Sequence, residues 1–434
     1  MQSPTASSPG QTGAQPESGS AEVFVARQPI LDRQQRIAAY ELLFRDQASA
    51  GYAAIDSPSM ATARVAIDTC MTMGTSAVLG DRLGFVNADY EMLASEAIEA
   101  LPADQIVIEV LEGVPHWARD RCVELQRAGF RLALDDYVPG DSRDSMLKAA
   151  DFVKVDLVLT PPDELESLVG YLRQSGAKLV AEKVETREEF QRCLDLGFDL
   201  FQGYYFAKPL TLAARRQDPE HAALFQAFRA LSADTELGEL ENCFKRNARL
   251  GIQLLRLANS AGVGARQRIT TLRHAIMYLG RVQLRRWVLL MLYAGGEAGR
   301  GVEALAEIAA VRGRLLELLL SSAETESGDH VAKECAFLAG MLSLADALLG
   351  RDLAEVMTEL KIDRVIREAV LERRGPIARL LEIVECLEHG RFHVLAERLA
   401  EAGITTEQLA GAQSEAYTWI RSVYQGTGPT IHSG

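Results

Sequence analysis

Six short apolar runs in the first half of the chain each end in, or carry, a polar side chain of the kind that binds metals or phosphates. They are AAYE to Glu41, LGFVN to Asn87, QIVIE to Glu109, RLALDD to Asp135 and Asp136, FVKVD with Lys154 inside it, and KLVAEKVE with Glu182 and Glu185. Short apolar runs bounded by turn signals read as buried strands. Several parallel strands that each deliver one side chain to a shared mouth describe an active site at the strand ends of a β/α barrel.

The stretches between the runs support that reading. Residues 59–73, 119–128, 162–175 and 187–196 have helical periodicity and length. Gly129, Gly176 and Gly197 each stand between a helix and the next strand, where a helix end favours glycine. This repeated strand–helix rhythm predicts a mostly parallel sheet. It occupies roughly 190 residues, fewer than the roughly 250 of a typical eightfold barrel, so a compact or modified barrel is expected. No GxGxxG or Walker-type loop follows any strand, which argues against an open nucleotide-binding sheet.

The chain has 434 residues, long enough for two domains. Residues 1–21, rich in Ser, Gly, Pro and Gln, predict a disordered tail, as do 425–434. The α/β region is expected over 22–210, and the polar segment 211–220 reads as a linker. From 221 to 424 no strand pattern remains, and helical stretches at 271–294, 302–323, 331–349, 351–372, 376–389, 392–401 and 405–424 predict an all-α bundle. Leu237, Leu240, Phe244 and Ala248 are expected on one helical face. A net charge of −14 argues against a nucleic-acid partner, because duplex affinity rests mainly on Lys and Arg. No segment has the roughly 20 apolar residues of a membrane span. Six scattered cysteines without metal spacing predict reduced thiols and a cytoplasmic setting.

Glu41, Asn87, Glu109, Asp135, Asp136 and Glu182 would converge at the barrel mouth. Five carboxylates in one pocket either protonate in part or are neutralised by cations. Oxygen ligands suit Mg2+ or Mn2+ better than zinc. Adjacent aspartates can serve two ions, as two-metal phosphodiester hydrolysis requires. Lys154 and Arg45 are the cations available to offset repulsion of an anionic substrate.

ARQPILD, YELLFR, GFVN, IVIEVLE, LALDDY, VKVD, AEKVET and LFQGYYFAKPL, in that order over about 23–210, resemble an EAL domain. That family comprises cyclic di-GMP phosphodiesterases on a TIM-barrel variant. The ELLFR, AEKVE and LFQGYYF forms are most similar to the branch with a C-terminal HDOD domain. The resemblance implies that Glu41, Asn87, Glu109 and Asp135 ligate one metal ion, and that Asp135, Asp136 and Glu182 serve a second. It implies that Lys154 holds the attacking water or the phosphate charge and that Arg45 contacts a phosphate. Gln28 and Pro209 would lie beside the dinucleotide, Gln202 behind the ligands, and Glu185 would anchor the loop after Asp136. In-line attack on phosphorus would open the ring to linear pGpG.

Two segments depart from the family pattern. Active members read DDFGTGYSS, whereas this chain reads Asp135-Asp136-Tyr137-Val138-Pro139-Gly140-Asp141-Ser142-Arg143. Val138 replaces a glycine and is further restricted by Pro139. In many members that loop also makes a dimer contact, so a homodimer is an expectation of the resemblance. The glycine of AEGVE is Lys183, which in an extended strand would point away from Glu182.

In the second half, LLRLANSAG, ITTLRHAIMYLG and CAFLAGMLSLADALLG resemble an HDOD domain, a relative of HD hydrolases without the metal dyad. Ser343 and Leu344 stand where the dyad would be, and no His-Asp pair occurs in the chain. His389 and His393 are expected on the surface. The resemblance implies that this half binds a protein partner. The leading expectation is a cyclic di-GMP phosphodiesterase, slow or regulated by its HDOD half. The alternatives are a cyclic di-GMP receptor that does not cut its ligand and an interaction scaffold with a degenerate EAL domain. Intact Glu41, Glu109 and Lys154 favour turnover, and Val138 and Pro139 favour the alternatives.

Overall fold

The computed structural model describes residues 23–46, 75–203, 219–233, 235–259, 268–294, 302–323, 330–349 and 351–427. Eight strands close into a barrel in sequence order: β1 Val23–Asp32, β2 Ile37–Asp46, β3 Leu83–Ala88, β4 Ile106–Val110, β5 Arg131–Leu134, β6 Phe152–Asp156, β7 Lys178–Glu182 and β8 Leu200–Phe201. The barrel is modified, as its length predicts: β1 is antiparallel to both neighbours, β2 and β8. A tight turn rather than a helix joins β1 to β2, and a tight turn can only reverse the chain. Asp32 builds that turn by accepting from the Gln34 and Arg36 amides.

Period-two alternation sorts each strand into two faces. Ile30, Ala39, Phe85, Val107, Ala133, Phe152, Val180 and Leu200, one from each strand, fill the lumen as a single apolar cluster. Phe85 and Phe152 meet edge to face there, 5.0 Å between ring centroids. Tyr40, Val86, Ile108, Leu134, Val153, Ala181 and Phe201 occupy the intervening positions and pack outward in the larger core beneath the helices. This alternation decides what can stand above the lumen plug. Two residues further along each strand the same inward face recurs.

The barrel helices are α1 Thr75–Leu79, α2 Tyr90–Ala94, α3 Ala118–Arg127, α4 Leu165–Leu172 and α5 Arg187–Leu196. The last is fixed by a reciprocal capping box between Thr186 and Glu189. The helix expected over 59–73 lies outside the described residues, as does the tail 1–21. Helices α6 Pro219–Ser232, α7 Leu237–Lys245, α8 Ala248–Ala258, α9 Leu272–Ala294, α10 Val302–Ala323 and α11 His330–Leu342 begin the second half. Helices α12 Ala345–Leu349, α13 Leu353–Glu359, α14 Arg364–Leu371, α15 Pro376–Glu388, α16 Phe392–Ala402 and α17 Thr406–Thr427 complete it.

Helix α6 starts at Pro219 and α17 runs to Thr427. One expectation needs correction here. Leu240 and Phe244 are buried, but Ala248 belongs to the next helix. Asn247 caps that helix by accepting from the Leu250 amide, which breaks the continuous face the sequence suggested.

The two halves share a buried seam along β1 and β2. Ala26 and Leu43 are register partners beyond the barrel rim, and both pack into the helical core. On the outward face of the same ribbon, Glu307 of α10 accepts from Tyr40 Oη at 2.5 Å and from both Arg82 guanidinium ends at 2.9 and 3.0 Å. Arg27 lies 3.8 Å from the same carboxylate and stacks on Tyr417 of α17 with its guanidinium carbon 3.7 Å from the ring centroid. Burial pushes the Glu307 carboxyl up, but Arg82 and Arg27 outweigh it and hold it below the usual range. Removing one partner from such a node leaves buried charge uncompensated. Glu307→Ala should therefore cost about 3 kcal/mol in urea unfolding. A loss under about 1 kcal/mol would show that the seam does not depend on this carboxylate.

Candidate active site

The polar mouth is the layer immediately above the lumen plug. Because β1 runs backwards, the step from its plug residue Ile30 leads to Gln28. In the other seven strands the step leads to Glu41, Asn87, Glu109, Asp135, Lys154, Glu182 and Gln202. Register pairs Gln28 with Glu41 and Asn87 with Glu109, while Glu41, Glu109 and Lys154 stand opposite the plug residues Phe85, Ala133 and Val180 of the following strands, so the ring is staggered around the barrel. Every one of these residues is a candidate drawn from the sequence, and the fold brings all eight together. Glu41 differs in one respect from the expectation. It sits mid-strand, because β2 continues to Asp46 as a two-stranded ribbon with β1.

Lys154 stands at the centre. Its Nζ lies 2.7 Å from Glu109, 2.8 Å from Glu182, 2.9 Å from Asp135 and 3.4 Å from Glu41. The side chain is 1% exposed, so these are desolvated charge pairs. Gln202 Nε2 donates to Glu41 at 2.6 Å and to Gln28 Oε1 at 3.0 Å, and Asn87 Nδ2 donates to Glu41 at 3.0 Å. Burial would raise the Glu41 carboxyl, but Lys154 and these two amides outweigh it and hold it below its ordinary range. Glu109 is pushed well above the usual range, by burial first, with Lys154 opposing and the Glu41 and Asp135 charges adding to it. Burial also takes the Glu182 carboxyl up to about 8 against the pull of Lys154.

One ammonium among this many acids leaves negative charge unmatched. Asp135, Asp136 and Glu182 present oxygens within 4.8 Å of one another, a spacing one cation can bridge. Glu109 Oε1 meets the Lys154 ammonium at 2.7 Å, whereas its Oε2 and Asn87 Oδ1 are buried without a hydrogen-bond donor. Buried acceptors without donors are costly, and a hard cation is the ligand class that oxygen acceptors satisfy. The residues present therefore fit divalent metal binding.

The divergent loop is ordered by contacts of its own. Left-handed backbone falls at Asp136 (φ 40°) and Gly140 (φ 88°), not at Val138, so the missing glycine is not needed there. Arg143, 1% exposed, donates to the carbonyls of Val110 and Asp135 at 2.8 and 2.5 Å and to the Asp141 carboxylate. Tyr137 is buried, with its hydroxyl donating to Asp144 at 2.6 Å, while Val138 is exposed. The support expected to be lost is replaced by a buried guanidinium and a phenol.

Lys183 corrects a second expectation. Its φ is 55°, so it is not extended, and its ammonium pairs with the buried Asp156 carboxylate while the residue lines the rim of the site cavity. That cavity, about 410 Å3, is lined by Gln28, Glu41, Lys154, Glu182, Lys183 and Glu185 among others. Glu185 thus stands at the mouth, two residues past Lys183. Arg45 belongs to β2, four residues beyond Glu41, but its side chain lies outside the described residues, as does Pro209. Asp156, Arg143 and His389 escaped the sequence reading. Asp156 had a signal, since it follows Lys154 by two on one strand. Arg143 had none, and His389, expected on the surface, also lines the cavity.

A carboxyl raised by folding keeps its proton where the unfolded chain has released it. For Glu182, raised from 4.5 to about 8, stability therefore falls as pH climbs through that interval. Metal-free protein should lose thermal stability between about pH 6 and 8, and saturating Mn2+ should raise the melting temperature more at pH 8 than at pH 6. An equal Mn2+ shift at both would place the ion elsewhere. Arg143→Ala should weaken Mn2+ binding about 10- to 100-fold in calorimetry, because it frees the backbone that orients Asp135 and Asp136. Unchanged affinity would remove Arg143 from that role.

The EAL domain model matches residues 15–209 and the HDOD domain model residues 222–370. Cyclic di-GMP phosphodiesterase CdgJ of Vibrio cholerae is 30% identical over 405 residues, 92% of this chain and 93% of its own. Uncharacterized protein YuxH of Bacillus subtilis is 29% identical over 385 residues, 86% of this chain and 93% of its own. Among solved structures, the calcium/cy-diGMP complex of Klebsiella pneumoniae BlrP1 is 26% identical and covers 46% of this chain and 58% of its own, with a TM-score of 0.36. With a closed eight-stranded barrel followed by a helical domain, and a relative matched along nearly its whole length, the chain belongs to the EAL family, in the branch that carries a C-terminal HDOD domain.

Proposed function

We propose that the protein hydrolyses cyclic di-GMP to linear pGpG with two Mg2+ or Mn2+ ions. The observation that carries this reading is the polar layer itself, complete at all eight strands and built around Lys154. Glu41, Asn87, Glu109 and Asp135 would hold one ion, and Asp135, Asp136 and Glu182 the other. Ions bound there would supply charge neutralisation and an activated water.

The chain's own groups do the rest. Lys154 is compact, carries three donors and is walled by low-dielectric strands, which suits it to hold a phosphate oxygen or the attacking water. Gln202 and Asn87 fix the Glu41 carboxylate by two hydrogen bonds, so a metal would meet it already oriented. Gln28, bonded to Gln202, faces the cavity where the dinucleotide would lie. Glu185 would anchor the loop after Asp136, and Arg45 and Pro209 would contact the ligand from the rim.

The domain boundaries at 210 and 221, a protein partner for the HDOD half and a homodimer belong to the same proposal, supported by the resemblance. A cytoplasmic setting is supported by the free thiols of Cys122, Cys193, Cys243, Cys335 and Cys386. Among the described residues no helix is long and apolar enough to cross a membrane.

Purified protein with cyclic di-GMP and Mg2+ or Mn2+ should yield pGpG by ion-pair chromatography, and Glu41→Ala should abolish it. Turnover surviving that change would contradict the metal assignment. Tight binding without product would instead select the receptor reading.

A further inference from the structure

One wall of the site cavity comes from the helical domain. Glu388 and His389, at the C-terminal end of α15, line the same cavity as Gln28, Glu41, Asp135 and Glu182. The contact is built into both halves. Gly390, next in the chain, has φ 63°, and a Cβ there would stand 3.1 Å from Leu43 Cδ1. The turn therefore packs on β2 two residues beyond Glu41, with a left-handed backbone that favours glycine. His389 is oriented by its Nδ1 against the Glu385 carbonyl. Glu388 is gripped by Arg312 of α10, with Nε 3.1 Å from Oε1 and the second guanidinium end on Oε2. Arg312 is itself buried, and its remaining arm donates to Ser343 Oγ at 2.7 Å. Ser343 is the position where an HD hydrolase would carry its dyad. Arg312 thus links that relic centre to the barrel's active-site wall.

We propose that Glu388 and His389 are specificity-determining residues that contact the guanine part of the substrate, with Arg312 as their positioning residue. The inference rests on the reading that this cavity takes cyclic di-GMP. The metal-fitting acids and Lys154 form the floor, where a phosphodiester would sit. A further carboxylate on the wall would repel phosphate but suits a neutral base that presents N–H groups. Guanine offers two such donors side by side, N1–H and N2–H, whereas adenine offers an acceptor at N1. Glu388 retains 23% side-chain exposure, and a carboxylate has more acceptor sites than the two Arg312 occupies. The imidazole beside it supplies a flat face for the base. On this account the helical domain completes the substrate site.

The test uses the full chain and compares hydrolysis of cyclic di-GMP with that of cyclic di-AMP. Glu388→Gln and His389→Ala should each raise KM for cyclic di-GMP about tenfold, the worth of one charged hydrogen bond or one stacked base. The effect on kcat should be smaller. For Glu388→Gln, the ratio of kcat/KM between the guanine and adenine dinucleotides should fall at least about fivefold. Arg312→Gln should raise KM in the same way and add little on top of Glu388→Gln, whereas Arg312→Lys should recover part of the loss. Circular dichroism melts identify any variant that has lost its fold, and His389→Ala, at a half-buried helix end, keeps the test alive if the Arg312 variants unfold. Wild-type KM and base preference in both Glu388→Gln and His389→Ala would overturn the inference and leave the phosphodiesterase reading standing. Loss of kcat at constant KM would also overturn it. Wild-type protein that neither cuts nor binds cyclic di-GMP would overturn both readings.

Discussion

A single buried ammonium organises the mouth of this barrel. Without Lys154 the carboxylates of Glu41, Glu109, Asp135 and Glu182 would face one another in a desolvated space. Such a cluster must protonate, spread apart or bind cations. With Lys154 in place it is held together yet remains net negative. The chain's own charges thus order the site that a divalent cation would enter. The raised Glu109 and Glu182 carboxyls report the residual strain that a divalent ion would relieve.

The positions of these groups follow from two periodicities. Alternation along each strand sets an apolar plug residue one step below a polar one, and closure of the staggered barrel brings the eight polar side chains to one mouth. That is why the site was legible in the sequence. Each apolar run had to end in a residue whose side chain faces inward, and the inward residue above the plug is polar in all eight strands. The helical half was legible for a similar reason, since the loss of alternation after the barrel left only helical spacing.

What the sequence hid depends on backbone turns and on long-range contacts. Lys183 looks as if it points away from the site only if its strand stays extended, and a left-handed φ reverses that. Val138 looks disabling only if the loop must turn where relatives place glycine. Here left-handed backbone falls at Asp136 and at Gly140, the glycine this loop keeps, and Arg143 anchors it from eight residues beyond Asp135. The break between α7 and α8 at Asn247 shows the same limit, because one capping side chain ends a helix whose apolar spacing continues. The approach of His389 to the cavity could not be read at all, because it depends on how α15 docks against β1 and β2.

The account stands on the polar ring being a metal centre. Anomalous scattering from crystals of the full chain grown with Mn2+ and cyclic di-GMP tests this most directly. It predicts two manganese peaks about 3.5–4 Å apart, one against Asp135, Asp136 and Glu182 and one against Glu41, Asn87, Glu109 and Asp135, with Lys154 drawn toward a phosphate oxygen. Crystals with no manganese in the ring and Lys154 still paired with its four carboxylates would contradict it.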